Sequence, residues 1–158
     1  MSRSGYSSDN EGIALWRGMV ASATRGKRGQ QFFRDLLAAL DAMPEKRLIR
    51  EALEAEGEVC AIGALGRARG IDMSNIDPED PNEVAPLFNI AECLAQEVVY
   101  MNDEYFDFHY VEVNGRSTRM EYTPEERWQK MRKWVAEQIR VTPEEAAAVE
   151  IPDAGSIT

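Results

Sequence analysis

The sequence predicts a mainly α fold: a single-domain bundle of about six helices with one β-hairpin inserted at about residues 105–122. Three observations predict it. Apolar residues recur at three- and four-residue spacing through most of the chain, which lays them along one face of a helix. Strong helix-start signals occur at Thr123-Pro124-Glu125-Glu126 and again at Thr142-Pro143-Glu144-Glu145. In both, threonine caps, proline suits the first turn and a glutamate three residues on closes a capping box. Between Tyr105 and Tyr122 the period changes to two around Asn114-Gly115, a strong hairpin turn.

Taken in order, residues 1–9 are rich in Ser and Gly and are expected to be a disordered tail, and 10–150 a single helical domain. Ile13, Trp16, Met19, Val20 and Ala23 define a first helix over Glu11–Thr24, with Asp9 or Asn10 as its cap. Gly26-Lys27-Arg28-Gly29 reads as a loop. Phe32, Phe33, Leu36, Leu37 and Leu40 then give a second helix over Gln30–Ala42, stopped by Pro44. Leu48, Ile49 and Leu53 suggest a third, shorter helix ending near Gly57. Glu58-Val59-Cys60 reads as briefly extended, and Ala61–Arg69 as a small-residue helix closed by Gly70. Two glycines inside that helix, Gly63 and Gly66, imply close packing, because each costs about 1 kcal/mol relative to alanine.

Ile71–Glu79 is expected to be loop. Asp80-Pro81-Asn82-Glu83 opens a short helix limited by Pro86, and Asn89-Ile90-Ala91-Glu92 opens another to about Met101, lined by Ile90, Leu94, Val98 and Met101. The two-residue turn pairs Val113 with Arg116, Val111 with Thr118 and His109 with Met120. A lone hairpin is marginal in water, so it should pack against the helices. Trp128, Met131, Trp134, Val135 and Ile139 line the last long helix, and Trp16, Trp128 and Trp134 read as core residues. Residues 151–158 are expected to be a flexible tail.

With 158 residues, 44% hydrophobic, the chain suits one domain with its own core. No apolar run approaches the ~20 residues that span a bilayer, and Met1 to Glu11 lacks the apolar stretch of a signal peptide. Only two cysteines occur, Cys60 and Cys93, so a reducing, cytoplasmic compartment is expected. The net charge of −10 is unevenly spread. Residues 1–70 hold 11 basic and 9 acidic side chains, whereas 71–158 hold 7 and 19. Between Arg69 and Arg116 there are 11 acidic residues and no Lys or Arg. Such a stretch argues against direct nucleic-acid binding, which depends on cations, and in favour of a protein partner.

Candidate sites are few, and no catalytic, cofactor or phosphate-loop signature is present. The acidic candidates for partner binding are Asp77, Glu79, Asp80, Glu83, Asp103, Glu104 and Asp107. A basic patch at Arg17, Arg25, Lys27, Arg28 and Arg34 would suit an acidic partner or head-to-tail association, which leaves a homo-oligomer open. Cys60 stands where a helix N-terminus would favour a thiolate, so an enzyme or ligand-binding protein built on it is one alternative. Its only candidate base is His109. Asp103, Glu104 and Asp107 form an oxygen-rich group, so a metal-binding module is the other alternative, although their spacing matches no known loop.

The series Gly57-Glu58-Val59-Cys60-Ala61-Ile62-Gly63-Ala64, followed by Asn102-Asp103-Glu104 and Thr123-Pro124-Glu125-Glu126-Arg127, resembles a family of small bacteriophage, prophage and bacterial proteins. These share a Cys-Ala-x-Gly-Ala centre and an Asn-Asp step. The likeness covers roughly residues 12–140, with the hairpin at Tyr105–Tyr122 as an insertion. The family has no established activity, so the resemblance carries over no catalytic residues and implies an intracellular, phage-encoded accessory protein. The leading expectation is therefore a non-enzymatic protein, without cofactor, that binds another protein through an acidic surface.

Overall fold

A computed structural model of the chain describes Ser4 and residues 12–149. The expected tails at 1–9 and 151–158 lie, Ser4 apart, outside the described residues. Within them the fold is mainly helical, with seven α-helices and two small antiparallel hairpins. α1 (Ile13–Arg25) and α2 (Lys27–Ala42) are followed by a small hairpin of β1 (Glu54–Ala55) and β2 (Glu58–Val59). α3 (Ala61–Ala68), α4 (Pro81–Leu87) and α5 (Glu92–Tyr100) come next. A π-helical turn at Met101–Tyr105 leads into β3 (Phe108–Val113) and β4 (Arg116–Glu121), and α6 (Pro124–Gln138) and α7 (Pro143–Val149) complete the chain.

α2 is the hub. Phe32, Phe33, Leu36 and Leu40, at helical spacing along it, are all buried, and α1, α3 and α6 pack around this stripe. Phe33 meets Trp134 of α6 edge to face at 5.6 Å, and the Trp128 Nε1 donates to the Leu40 carbonyl at 3.2 Å. Trp128 and Trp134 thus flank the core half-buried rather than filling it, and Trp16 on α1 is half-buried as well. Gln30 pins the far end of α6. Its Nε2 donates to the carbonyls of Thr24 and Gln138, and its Oε1 accepts from Arg140 N.

Three expectations about elements are corrected. The loop expected at 26–29 is a single break at Gly26, whose extended backbone (ψ 160°) separates two helices. α2 therefore starts at Lys27, and Gly29 sits where any Cβ would collide with the Ala23 carbonyl. The N-cap of α1 is Gly12, which makes no side-chain cap; Asp9 and Asn10 fall outside the described residues. The helix expected over 48–57 does not form. Leu48 N donates to the Pro124 carbonyl and Ile49 N to the Val59 carbonyl, and Glu56-Gly57 turn the chain with φ of 53° and 80°. The segment buries Leu48 and Leu53 while its main chain pairs with distant strands and loops, a tertiary solution that overrides the helical spacing.

The remaining elements form where expected, with differences in how α4 ends, how α5 starts and how the β3–β4 hairpin packs. β2 leads directly into α3, which is buried from Ala61 to Gly66, and Gly70 closes it at φ 68°. Asp80 caps α4, with Pro86 inside its last turn rather than beyond it. Asn89 does not cap α5: it adopts φ 54° after α4, and α5 starts past Ala91 without a side-chain cap. Thr123 and Glu126 form the capping box of α6, and Thr142 and Glu145 reproduce it at α7. The hairpin register is the expected one, with Val113 opposite Arg116, Val111 opposite Thr118 and His109 opposite Met120. Its packing is not. All of β4 is exposed, and only His109 and Val111 of β3 are partly covered, so the hairpin projects as an arm. It is held at its root, where Tyr122 lies between Phe106 and His109. None of the described helices is long and apolar enough to cross a membrane.

Candidate functional site

Apart from Glu92 and Glu112, which are exposed on α5 and β3, the acid-only stretch divides into two sets with opposite fates. Glu97, on the inner side of α5, is buried and pairs with Arg17, which reaches across from α1. Burial holds its carboxyl above the usual carboxylate range, against the pull of the guanidinium. Asp103 is buried too, and its Oδ2 accepts from Glu51 N at 3.2 Å. Asp107 pairs with Arg50, with Arg119 3.9 Å away, and Glu104 accepts from the Ser4 hydroxyl. Of the expected acidic candidates, Asp103 is thus turned inward, and Glu104 and Asp107 are half-buried and bonded within the chain. Each carboxylate is turned to a different donor, and among the described residues no three His, Cys, Asp or Glu side chains gather as a metal site would require.

The second set stays in water. Asp72, Asp77, Glu79 and Glu83 are exposed and Asp80 half-exposed, all on the loop before α4 and its first turn. Their hydrogen bonds are local. Asp77 Oδ1 accepts from Glu79 N, Asp77 N donates to Glu83, and Asp80 Oδ1 accepts from Asn82 N. Hydrogen bonds from the Ser74 hydroxyl and N–H hold the Asp72 carboxyl below its usual range. None of the five forms an ion pair with Lys or Arg among the described residues. They make a ledge of uncompensated negative charge.

Behind the first set lies a buried polar hub centred on Asn102. The π-helical turn, closed by Phe106 N donating to the Met101 carbonyl at 3.3 Å, carries both Asn102 and Asp103 into the interior. Asn102 Oδ1 accepts from Ala61 N, and its Nδ2 donates to the Ile49 carbonyl and to Asp103 Oδ1. From α6, the buried Arg127 donates through Nε to the Asn102 carbonyl and through Nη1 to the Leu48 carbonyl. Burial lowers the Arg127 pKa from its usual value. This hub ties α3, α5, α6 and the irregular segment 48–53 together. Nothing in the charge run points to it, yet Arg127 falls four residues before Met131 and eight before Val135, on the buried stripe of α6. A charge on an apolar stripe was the available signal.

The cysteines are interior residues. Cys60 is 1% exposed and is the N-cap of α3, its Sγ accepting from Gly63 N at 3.4 Å. Cys93 is buried on α5, and burial raises its thiol pKa. His109 stacks on Tyr122 at 4.4 Å on the arm. A cleft of about 470 Å³ does open beside α3, between Ala39, Met43, Val59 and Ala64, but Cys60 does not line it. Its two rim guanidiniums are already engaged, Arg47 with Glu58 and Arg67 with Glu54 and the Gly57 carbonyl.

The basic patch is dispersed along two helices. Arg17 is taken by Glu97, Arg28 donates to Asn89 Oδ1 at 3.3 Å, and Arg34 reaches the Arg140 carbonyl and Glu145. Arg25 and Lys27 are exposed at the α1–α2 break and make no ion pair among the described residues. No family model, curated protein or solved structure matches the chain.

Proposed function

We propose that this protein is a non-enzymatic accessory protein of the phage or prophage type. It works in the bacterial cytoplasm and binds a basic surface of another protein through the acidic ledge at residues 72–83. One observation carries the reading: the inward carboxylates Glu97, Asp103 and Asp107 are bonded within the fold, whereas five carboxylates gather within twelve residues on this ledge with no Lys or Arg paired to them among the described residues. Exposed like charges repel one another and favour a partner of opposite sign, which they steer on approach. No cofactor and no direct nucleic-acid contact enter this reading.

The test is capture from a bacterial lysate at low and high salt, comparing the parent chain with a Glu79→Lys/Glu83→Lys variant. Both side chains are exposed and the change gives up only the Glu83 hydrogen bond from Asp77 N, worth about 1 kcal/mol, so the variant should melt within about 5 °C of the parent. A partner released by salt and lost in the variant is the expected result, since screening weakens surface charge attraction. A set of captured proteins indifferent to both changes would overturn the proposal.

A further inference from the structure

The projecting arm has a free edge whose chemistry is self-complementary. In a hairpin with a two-residue turn the flanking pair is hydrogen-bonded, and bonded and non-bonded pairs then alternate. Here the bonded pairs are Val113–Arg116, Val111–Thr118 and His109–Met120, and the series continues at the root, where Tyr122 N donates to the Asp107 carbonyl at 2.9 Å. The N–H and C=O groups of Phe108, Tyr110 and Glu112 therefore point away from β4. No backbone partner meets them among the described residues. All three side chains are exposed. β3 also lacks the usual protections of an edge, having no lysine, no proline and an unbroken register.

We propose that β3 pairs with β3 of a second copy of this chain, antiparallel about Tyr110, to build a four-stranded sheet. The free groups sit at 108, 110 and 112, so a two-fold axis at Tyr110 sets Phe108 opposite Glu112 of the second copy and Tyr110 opposite its equivalent. Every outward group then has a partner. Phe108 and Tyr110, 36% and 64% exposed and 5.6 Å apart edge to face, join their counterparts in a cluster of four rings. Charge agrees with this register. The Arg119 guanidinium lies 4.1 Å over the Phe108 ring, and Glu112 makes no ion pair among the described residues. Pairing brings Glu112 of the second copy beside Phe108 on that same face, within reach of Arg119, and symmetry repeats the contact. The β4 edge has no such match: its free groups centre on Arg119, and the same operation sets two guanidiniums against each other. Pairing also resolves the instability of a two-stranded ribbon standing in water.

Sedimentation equilibrium of the full chain between about 1 and 200 µM, the span from micromolar to weak affinity, tests the proposal. A dimer is expected. Glu112→Arg and Arg119→Glu should each weaken it about five-fold or more, since each sets like charges across the pair. Mixing the two variants should give a heterodimer tighter than either homodimer. Tyr110→Pro should abolish the dimer by removing an outward N–H, while Ser117→Pro, which removes an outward N–H from the opposite edge across from Glu112, should spare it. A chain monomeric at the top of the range overturns the proposal and leaves the edge to a strand of another protein. So does a dimer indifferent to the charge variants and to Tyr110→Pro.

Discussion

Glu97 is a carboxylate on the wrong side of its helix, held there by a single guanidinium. Because its pKa is raised in the fold, the protonated form is the one the interior prefers. Such a group favours folding below its unfolded pKa, and that contribution is lost as pH rises through the folded value. Glutamine mimics the protonated form and still hydrogen-bonds Arg17, which is 47% exposed and tolerates losing its counter-charge. Glu97→Gln should therefore be at least as stable as the parent at pH 7. The gap should close as pH falls toward about 4, where the parent carboxyl is itself protonated. Urea denaturation at the two pH values checks this, and a variant less stable at pH 7 would refute it. Asn102 is the contrasting residue. Its side chain makes three hydrogen bonds, to Ala61 N, Asp103 and the half-buried Ile49 carbonyl, so it cannot be emptied without stranding Ala61 N and that carbonyl.

At the scale of elements, α3 shows how glycine sets a helix position. A Cβ on Gly63 would drive into the Leu53 carbonyl, which is fixed because it also accepts from Cys60 N at 3.1 Å. A Cβ on Gly66 would meet the thioether of Met73, a side chain that can swing aside, and more lightly the edge of the Phe88 ring, but no backbone. Gly63→Ala should therefore cost about 3 kcal/mol or more through forced backbone movement, and Gly66→Ala less than about 1 kcal/mol. Thermal melts of the two variants separate these cases; equal losses would show that the approach at Gly63 is not the limiting one. The same contrast explains what the sequence disclosed. Local chemistry announced α6, α7 and the β3–β4 register, since a capping box and an Asn-Gly turn act within a few residues. The segment 48–57 stayed hidden because three apolar residues in six positions fit either period. Its true partners, Val59 and Pro124, are supplied by the tertiary fold. The acids behaved likewise: the run from Asp72 to Glu112 was legible as charge. Which members face inward was decided by the π-helical turn and by Arg17, Arg50 and Arg127, all outside the run.

On the scale of the whole molecule, the structure is a helical body and an arm. The core draws on α2 to α6 and the segments between them, and it uses no residue between 108 and 121. Asp107 and Tyr122 already face each other as a hydrogen-bonded pair, the same relation that Val113 and Arg116 hold at the tip. A two-residue Asn-Gly turn should then join Asp107 to Tyr122 directly in place of 108–121. The shortened chain should melt within about 5 °C of the parent, the shift expected for about 1 kcal/mol. Unfolding of the shortened chain would show that the arm carries more of the fold than its exposure suggests.

That root has a consequence for descent as well as for stability. Strand length on the arm can change without consulting the core: adding or removing two residues per strand keeps every surviving side chain on its face, and one per strand inverts them. The arm is therefore free to be lost, lengthened or given a new edge, generation by generation. The small hairpin at Glu56-Gly57 has no such licence, because Leu53, Val59 and Cys60 beside its turn are buried in the core and the Val59 carbonyl is tied to Ile49 N.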